Sequence, residues 1–137
     1  MYGSEAWTLT KKLNKQLDGC YTRMLRMALN VSWKSHLTNE QLYGELPKVS
    51  MKVQQRRMRL AGHCIRHTEE IANSLVLWQP TVGKTGRGRR RINYVDNLLQ
   101  DTGMDNVDEL RTIMEDRAEW TNRVNECGAS WRSVKLN

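Results

Sequence analysis

The sequence has no phenylalanine, only three cysteines, and no long apolar run. Each shortage excludes something. Cys20, Cys64 and Cys127 lie far apart and are odd in number, so no disulfide framework is expected. The expected compartment is reducing, nuclear or cytoplasmic, and the chain does not read as secreted. About 20 consecutive apolar residues are needed to span a bilayer, and no such run occurs. The first residues also lack the apolar segment of a secretory signal. No membrane partner is expected. Without phenylalanine, five Trp and seven Met become the bulky core candidates.

Catalytic signatures are missing as well. There is no Gly-x-Ser-x-Gly and no phosphate-binding loop ending in Gly-Lys-Ser/Thr. Gly83-Lys84-Thr85-Gly86-Arg87-Gly88 is not a dinucleotide fingerprint, because no strand feeds it. The carboxylates of the C-terminal half stand at helix starts, where capping explains them. No catalytic residue, cofactor or small-molecule substrate is expected.

What is present is positive charge, unevenly spread. The net charge is +7 and the pI about 9.6. Residues 1–95 carry +11 and residues 96–137 carry −4. A basic body with an acidic C-terminal part points to a surface for nucleic acid. The central stretch from Ser50 to His67 contains no acid. Ser50 is of the N-cap type. Val53, Arg57, Leu60, Ala61, Cys64 and Ile65 recur three and four apart, which gives a narrow packing stripe on a helix. Lys52, Arg56, Arg59 and Arg66 fall largely on the other side. For one basic helix alone, a merely solvated face is an equal alternative.

A second basic element shifts that balance. Gly83 to Arg91 carries Lys84, Arg87, Arg89, Arg90 and Arg91 among three glycines. Glycine lets the backbone approach phosphate, and guanidinium forks bind phosphate oxygens in pairs. Gly86-Arg87-Gly88-Arg89 resembles peptides of the A·T-rich minor groove, without their flanking prolines. A flexible solvated linker is the competing reading. With Lys52, Arg56, Arg57, Arg59 and Arg66, the two elements hold ten of the 22 basic residues. Neutralising about half a dozen phosphates gives useful affinity and steep salt dependence. His63 and His67 have the i, i+4 spacing of metal ligands, but no Cys-x-x-Cys accompanies them. The preferred reading is no metal, a packed or hydrogen-bonded His63, and extra charge near phosphate at mildly acidic pH.

The periodicity predicts an all-α protein: an irregular bundle of about six helices. The helices are expected from about Thr10 to Leu29, from Thr38 to Gly44 with a Thr38–Gln41 capping box, from Ser50 to His67, from Glu69 to Leu77, from Ile92 to Gln100, from Asn106 to Met114 and from Asp116 to Asn125. Leu13, Leu17, Cys20, Tyr21, Met24 and Ala28 are the expected packing face of the first. Ile71, Leu75 and Val76 are that of the fourth. Two small subdomains are expected: 1–80, which includes the basic helix 50–67, and 92–128. The Gly/Arg loop 81–91 joins them, and 129–137 forms a frayed tail.

Taken in order, several segments resemble a known family. They are Tyr2 to Thr10 (YGSEAWTLT), Met24 to Met27 (MLRM), Val31-Ser32-Trp33, Thr38 to Gln41 (TNEQ), Arg56 to Arg66 (RRMRLAGHCIR), the Gly/Arg loop and Asp116 to Trp120 (DRAEW). Together they resemble the region after the palm in LINE-type, non-LTR retrotransposon reverse transcriptases, most of all the RTE-like group. The resemblance covers nearly the whole chain. It implies that residues 1–80 are thumb-like and that the segment from Ser50 on is a basic C-terminal extension. Such a region grips RNA, DNA or an RNA–DNA hybrid as template–primer or target. Polymerase aspartates, the endonuclease and a cysteine–histidine knuckle are absent, so this chain alone is not expected to be an enzyme. Met1 directly before Tyr2 reads as a truncated reading frame or an excised fragment. Two alternatives stand beside nucleic-acid binding. One is a protein-interaction or structural module docking on a polymerase core, with Arg56, Arg59 and Arg66 engaged by acids. The other is a degenerate fragment with no selected role.

Overall fold

The computed structural model describes residues 2–79 and 92–133, the last six as backbone only. The protein is all-α: among the described residues there are seven α-helices, two single-turn 3-10 segments and no strand. Short-range chemistry sets most of the helix ends. Thr10 accepts a hydrogen bond from the Leu13 amide and opens α1 (Lys11–Ala28). Thr38 and Gln41 form both halves of the capping box that opens α2 (Asn39–Tyr43). After α4 (Ile71–Val76), α5 (Tyr94–Thr102) ends at Gly103, whose φ of 71° lies in the left-handed region. Asn106 caps α6 (Val107–Glu115), and Asp116 Oδ1 accepts from the amides of Ala118 and Glu119 at the start of α7 (Arg117–Ser133).

The remaining helix, α3 (Val49–Arg66), is the centre of the molecule. It packs against the N-terminal turn at Ser4–Ala6 and against α1, α4, α5, α6 and α7. Its start differs from expectation. Ser50 is not the N-cap; it lies inside the first turn, and Lys48 at the cap supplies no side-chain bond. The anion comes from α1. Asp18 accepts from the Ser50 amide at 2.9 Å and from Ser50 Oγ at 2.7 Å. A carboxylate at a helix N-terminus satisfies orphan donors and suits the helix dipole.

Met58, Ala61 and Ile65 of α3 join Leu98, Met104, Leu110, Met114, Trp120 and Val124 in one core. Burying each large apolar side chain stabilises the fold by about 1.5–3 kcal/mol. Gly62 lets α7 come close: a Cβ there would run into Nε1 and Cδ1 of Trp120. The indole is held by a 2.9 Å hydrogen bond from Nε1 to the Met58 carbonyl.

This core crosses the expected boundary between 1–80 and 92–128, because α3 shares it with α5, α6 and α7. Two expected packing faces are also different. In α4, Val76 reaches the core, but Ile71 and Leu75 are exposed. In α1 nothing is fully buried, and Leu13 and Met24 face water. The helical backbone of α7 continues to Ser133, past the point where fraying is expected.

Candidate nucleic-acid interface

Packing on five helices leaves α3 only a narrow exposed strip. Every exposed residue of the helix is Lys52, Arg56, Arg59 or His63, and exposed His67 extends the line beyond its end. The steps are four, three, four and four residues, so the five side chains form one row along the axis. At 1.5 Å per residue the row is about 22 Å long. About six phosphates of one B-DNA strand occupy that axial length. Placing charged stems on the one strip that packing leaves over costs no burial.

His63 and His67 close the row. Their ring centroids are 4.1 Å apart. His63 is exposed against His67 and is not packed into the core, contrary to expectation. Among the described residues no group of three His, Cys, Asp or Glu side chains gathers to hold a metal ion.

Arg57 needs correcting. Expected among the phosphate contacts, it is 3% exposed and faces the interior. Its Nη1 donates to Asp101 Oδ2 at 2.8 Å and to Asn97 Oδ1 at 3.1 Å. The same Asn97 oxygen accepts from the Leu9 amide at 2.8 Å, which ties the N-terminal segment to α5. Burial pushes the Asp101 carboxyl up to about 6, and the Arg57 guanidinium pulls in the opposite direction. Arg57 is thus a structural charge with its own acid, and contact with a phosphate chain would require it to leave the core. The sequence carried a warning, since Arg57 lies in register with the packing stripe of Val53, Ala61 and Cys64.

Arg66 is intermediate. It is half-buried, and its Nη1 donates to the Met114 carbonyl near the end of α6 at 2.9 Å. Arg56 and Arg59 are exposed. Lys84, Arg87, Arg89, Arg90 and Arg91 lie outside the described residues, and with them the expected meeting of loop and helix on one side. Further cations stand on α1, where Lys11, Lys12, Lys15 and Arg23 are exposed. Asp108 and Glu109 stand in the first turn of α6, and Asp116 and Glu119 at the start of α7, whereas Glu115 ends α6 and Glu126 lies along α7.

The two covered thiols, Cys64 and Cys127, are poorly placed to act as nucleophiles. Burial, with Glu70 nearby, pushes the buried Cys64 thiol up. Burial, with Asp101 nearby, pushes Cys127 up to about 11. A thiol held protonated is a poor nucleophile and a poor metal ligand.

The chain is similar to the transposon-derived protein F52C9.6 of Caenorhabditis elegans, 24% identical over 131 residues. That alignment takes in 87% of this chain and 47% of the relative, so the chain spans about half the relative's length. No protein-family model and no solved structure matches the chain. The similarity points to a transposon origin.

Proposed function

We propose that this chain is a nucleic-acid-binding piece of a non-LTR retrotransposon reverse transcriptase, gripping template–primer or target through phosphates. One observation carries the proposal: all the exposed side chains of the central helix are cationic or become so on protonation. The ordered segments that resemble RTE-like enzymes and the similarity to a transposon-derived protein support the parentage. The grip is sequence-tolerant, because a row of charged ends on flexible stems meets phosphate oxygens and reads no base edges. The chain contributes binding and no polymerase chemistry of its own. Phosphoryl transfer uses carboxylate-held metal ions, and the polymerase motif that supplies them is not in this sequence.

A titration of the full chain with single-stranded RNA, duplex DNA and hybrid duplex across salt tests the proposal. Lys52 and Arg59 alone predict a log–log slope near −2 on duplex DNA, at about 0.9 per phosphate neutralised, and further cations steepen it. Lys52→Gln and Arg59→Gln each flatten the slope by about 1. No detectable binding at low salt, or a slope indifferent to both substitutions, overturns it.

A further inference from the structure

The outer side of α1 is the most conspicuous unused surface. Leu13, Leu17, Cys20, Met24 and Met27 follow one another at intervals of four, three, four and three. That alternation is the seam of a coiled coil, in which each side chain enters a hole on a facing helix. Most of the seam is uncovered. Leu13 is 44%, Met24 61% and Met27 75% exposed, Cys20 is exposed, and Leu17 is half-buried. The helix anchors itself by a different side. Asp18 holds Ser50, Thr22 Oγ1 bonds Tyr43 Oη at 2.7 Å, and Tyr21 lies against the Tyr43 ring. Its fixed orientation therefore turns the seam outward.

Charge selects the occupant. Asp18 is the helix's one acid, and it faces inward onto Ser50. The exposed charges of α1 are Lys11, Lys12, Lys15 and Arg23, all positive. Lys12 and Arg23 border the seam on its solvent side, and a shallow depression lined by Lys11, Lys12 and Lys15 lies beyond. A second copy laid antiparallel, seam to seam, would bring the two cationic edges together, which is destabilising. Bare phosphate chains offer nothing to cover the leucine and methionines. An apolar ridge edged with carboxylates fits both features.

We propose that the outward seam of α1 docks an amphipathic helix of a partner protein whose flanking positions are acidic. Leu13, Leu17, Cys20, Met24 and Met27 supply the apolar contact, and Lys12 and Arg23 pair with the acids along one edge. Methionine suits such a site because its flexible thioether adapts to a partner's side chains. This surface is separate from the basic row of α3, and the two bind different chemistries.

The test titrates the full chain against a labelled synthetic peptide of about four heptads, with leucine at a and d and glutamate at the flanking positions. A control peptide has the same composition in scrambled order, hence the same charge. The ordered peptide is expected to bind at least about tenfold more tightly than the control, and Met24→Glu to remove about tenfold. Met24 is exposed, so the variant keeps its fold, which circular dichroism checks. Binding of nucleic acid by Met24→Glu stays within about twofold of the parent, which separates this idea from the phosphate grip. Equal binding of ordered and scrambled peptides overturns the proposal, as does ordered binding that survives Met24→Glu. Concentration-dependent self-association abolished by Met24→Glu would assign the seam to a second copy. Tighter binding to phosphatidylserine vesicles than to the peptide, lost in the same variant, would assign it to a lipid surface. Either result overturns the acidic helix as occupant.

Discussion

Two helices of the same length, α1 and α3, use their sequences in opposite ways. Both are rich in Lys and Arg, and both have apolar residues at helical spacing. Helix α3 buries seven residues, including Val53, Met58 and Ile65, and its cations occupy the strip left over. Helix α1 buries none and shows both its cations and much of its apolar seam to water. Amphipathicity thus establishes that a helix has a side to cover. It does not say whether the cover comes from the same chain. In α3 the cover is five neighbouring helices; in α1, by our proposal, it is another protein.

The largest expected effect concerns the charge that α3 hides. Arg57→Leu leaves the Asp101 carboxylate without its guanidinium and should cost about 3–5 kcal/mol in urea unfolding. Should the variant keep its stability and lose nucleic-acid affinity, Arg57 would belong to the outer row, and the contrast between the covered and open sides of α3 would fail.

The pH dependence of the same pair comes next. The native carboxyl of Asp101 holds its proton up to about pH 6, whereas the free group releases it near 3.8. Between those values the folded state binds more protons, so the stability contributed at this site falls as pH rises. Relative to Asp101→Asn, whose amide does not titrate, the parent should lose on the order of 3 kcal/mol between pH 4 and pH 7. Urea midpoints of both proteins across that range measure it. A gain in the parent's relative stability would show that the ion pair outweighs burial.

Gly62→Ala tests how closely α7 approaches α3. The new methyl meets the Trp120 ring, which cannot move without losing its bond to Met58, so a cost of about 1–3 kcal/mol is expected from the denaturant midpoint. The smallest effect should come from α1. Met24→Ala is expected to change stability by no more than about 0.5 kcal/mol, as for an ordinary surface site. A loss of 2 kcal/mol or more, about what truncating a buried methionine costs, would mean that the seam is already covered within the chain.

What could be read from the sequence divides along the same line. The caps at Thr10, Thr38, Asn106 and Asp116 and the stop at Gly103 involve neighbours within a few residues, so the sequence displays them directly. Ser50 has the local signature of a cap, but the acid that serves the start of α3, Asp18, is 32 residues away. The partner of Arg57 is 44 residues away, and no local pattern reveals that a cation within an apolar stripe has found an acid. The row Lys52, Arg56 and Arg59 was legible because exposure on a helix follows from spacing once the packing face is known. The buried sides of α1 and α4 are not legible in the same way, because spacing identifies an apolar face and is silent about which helices reach it. The acidic start of α7 and the tight Gly62–Trp120 contact show two degrees of visibility. One is written in adjacent letters, and the other appears only when the chain returns after 62 residues to bring Trp120 against the Met58 carbonyl.

Asp18 joins the two helices at a single carboxylate, and this has a mechanical consequence. A molecule pulling on the seam of α1 pulls also on the clasp that holds the first turn of α3. Slackening there would let the Ser50 amide trade its hydrogen with water sooner, so deuterium uptake at that one position becomes a strain gauge for whatever is hung on the neighbouring rod.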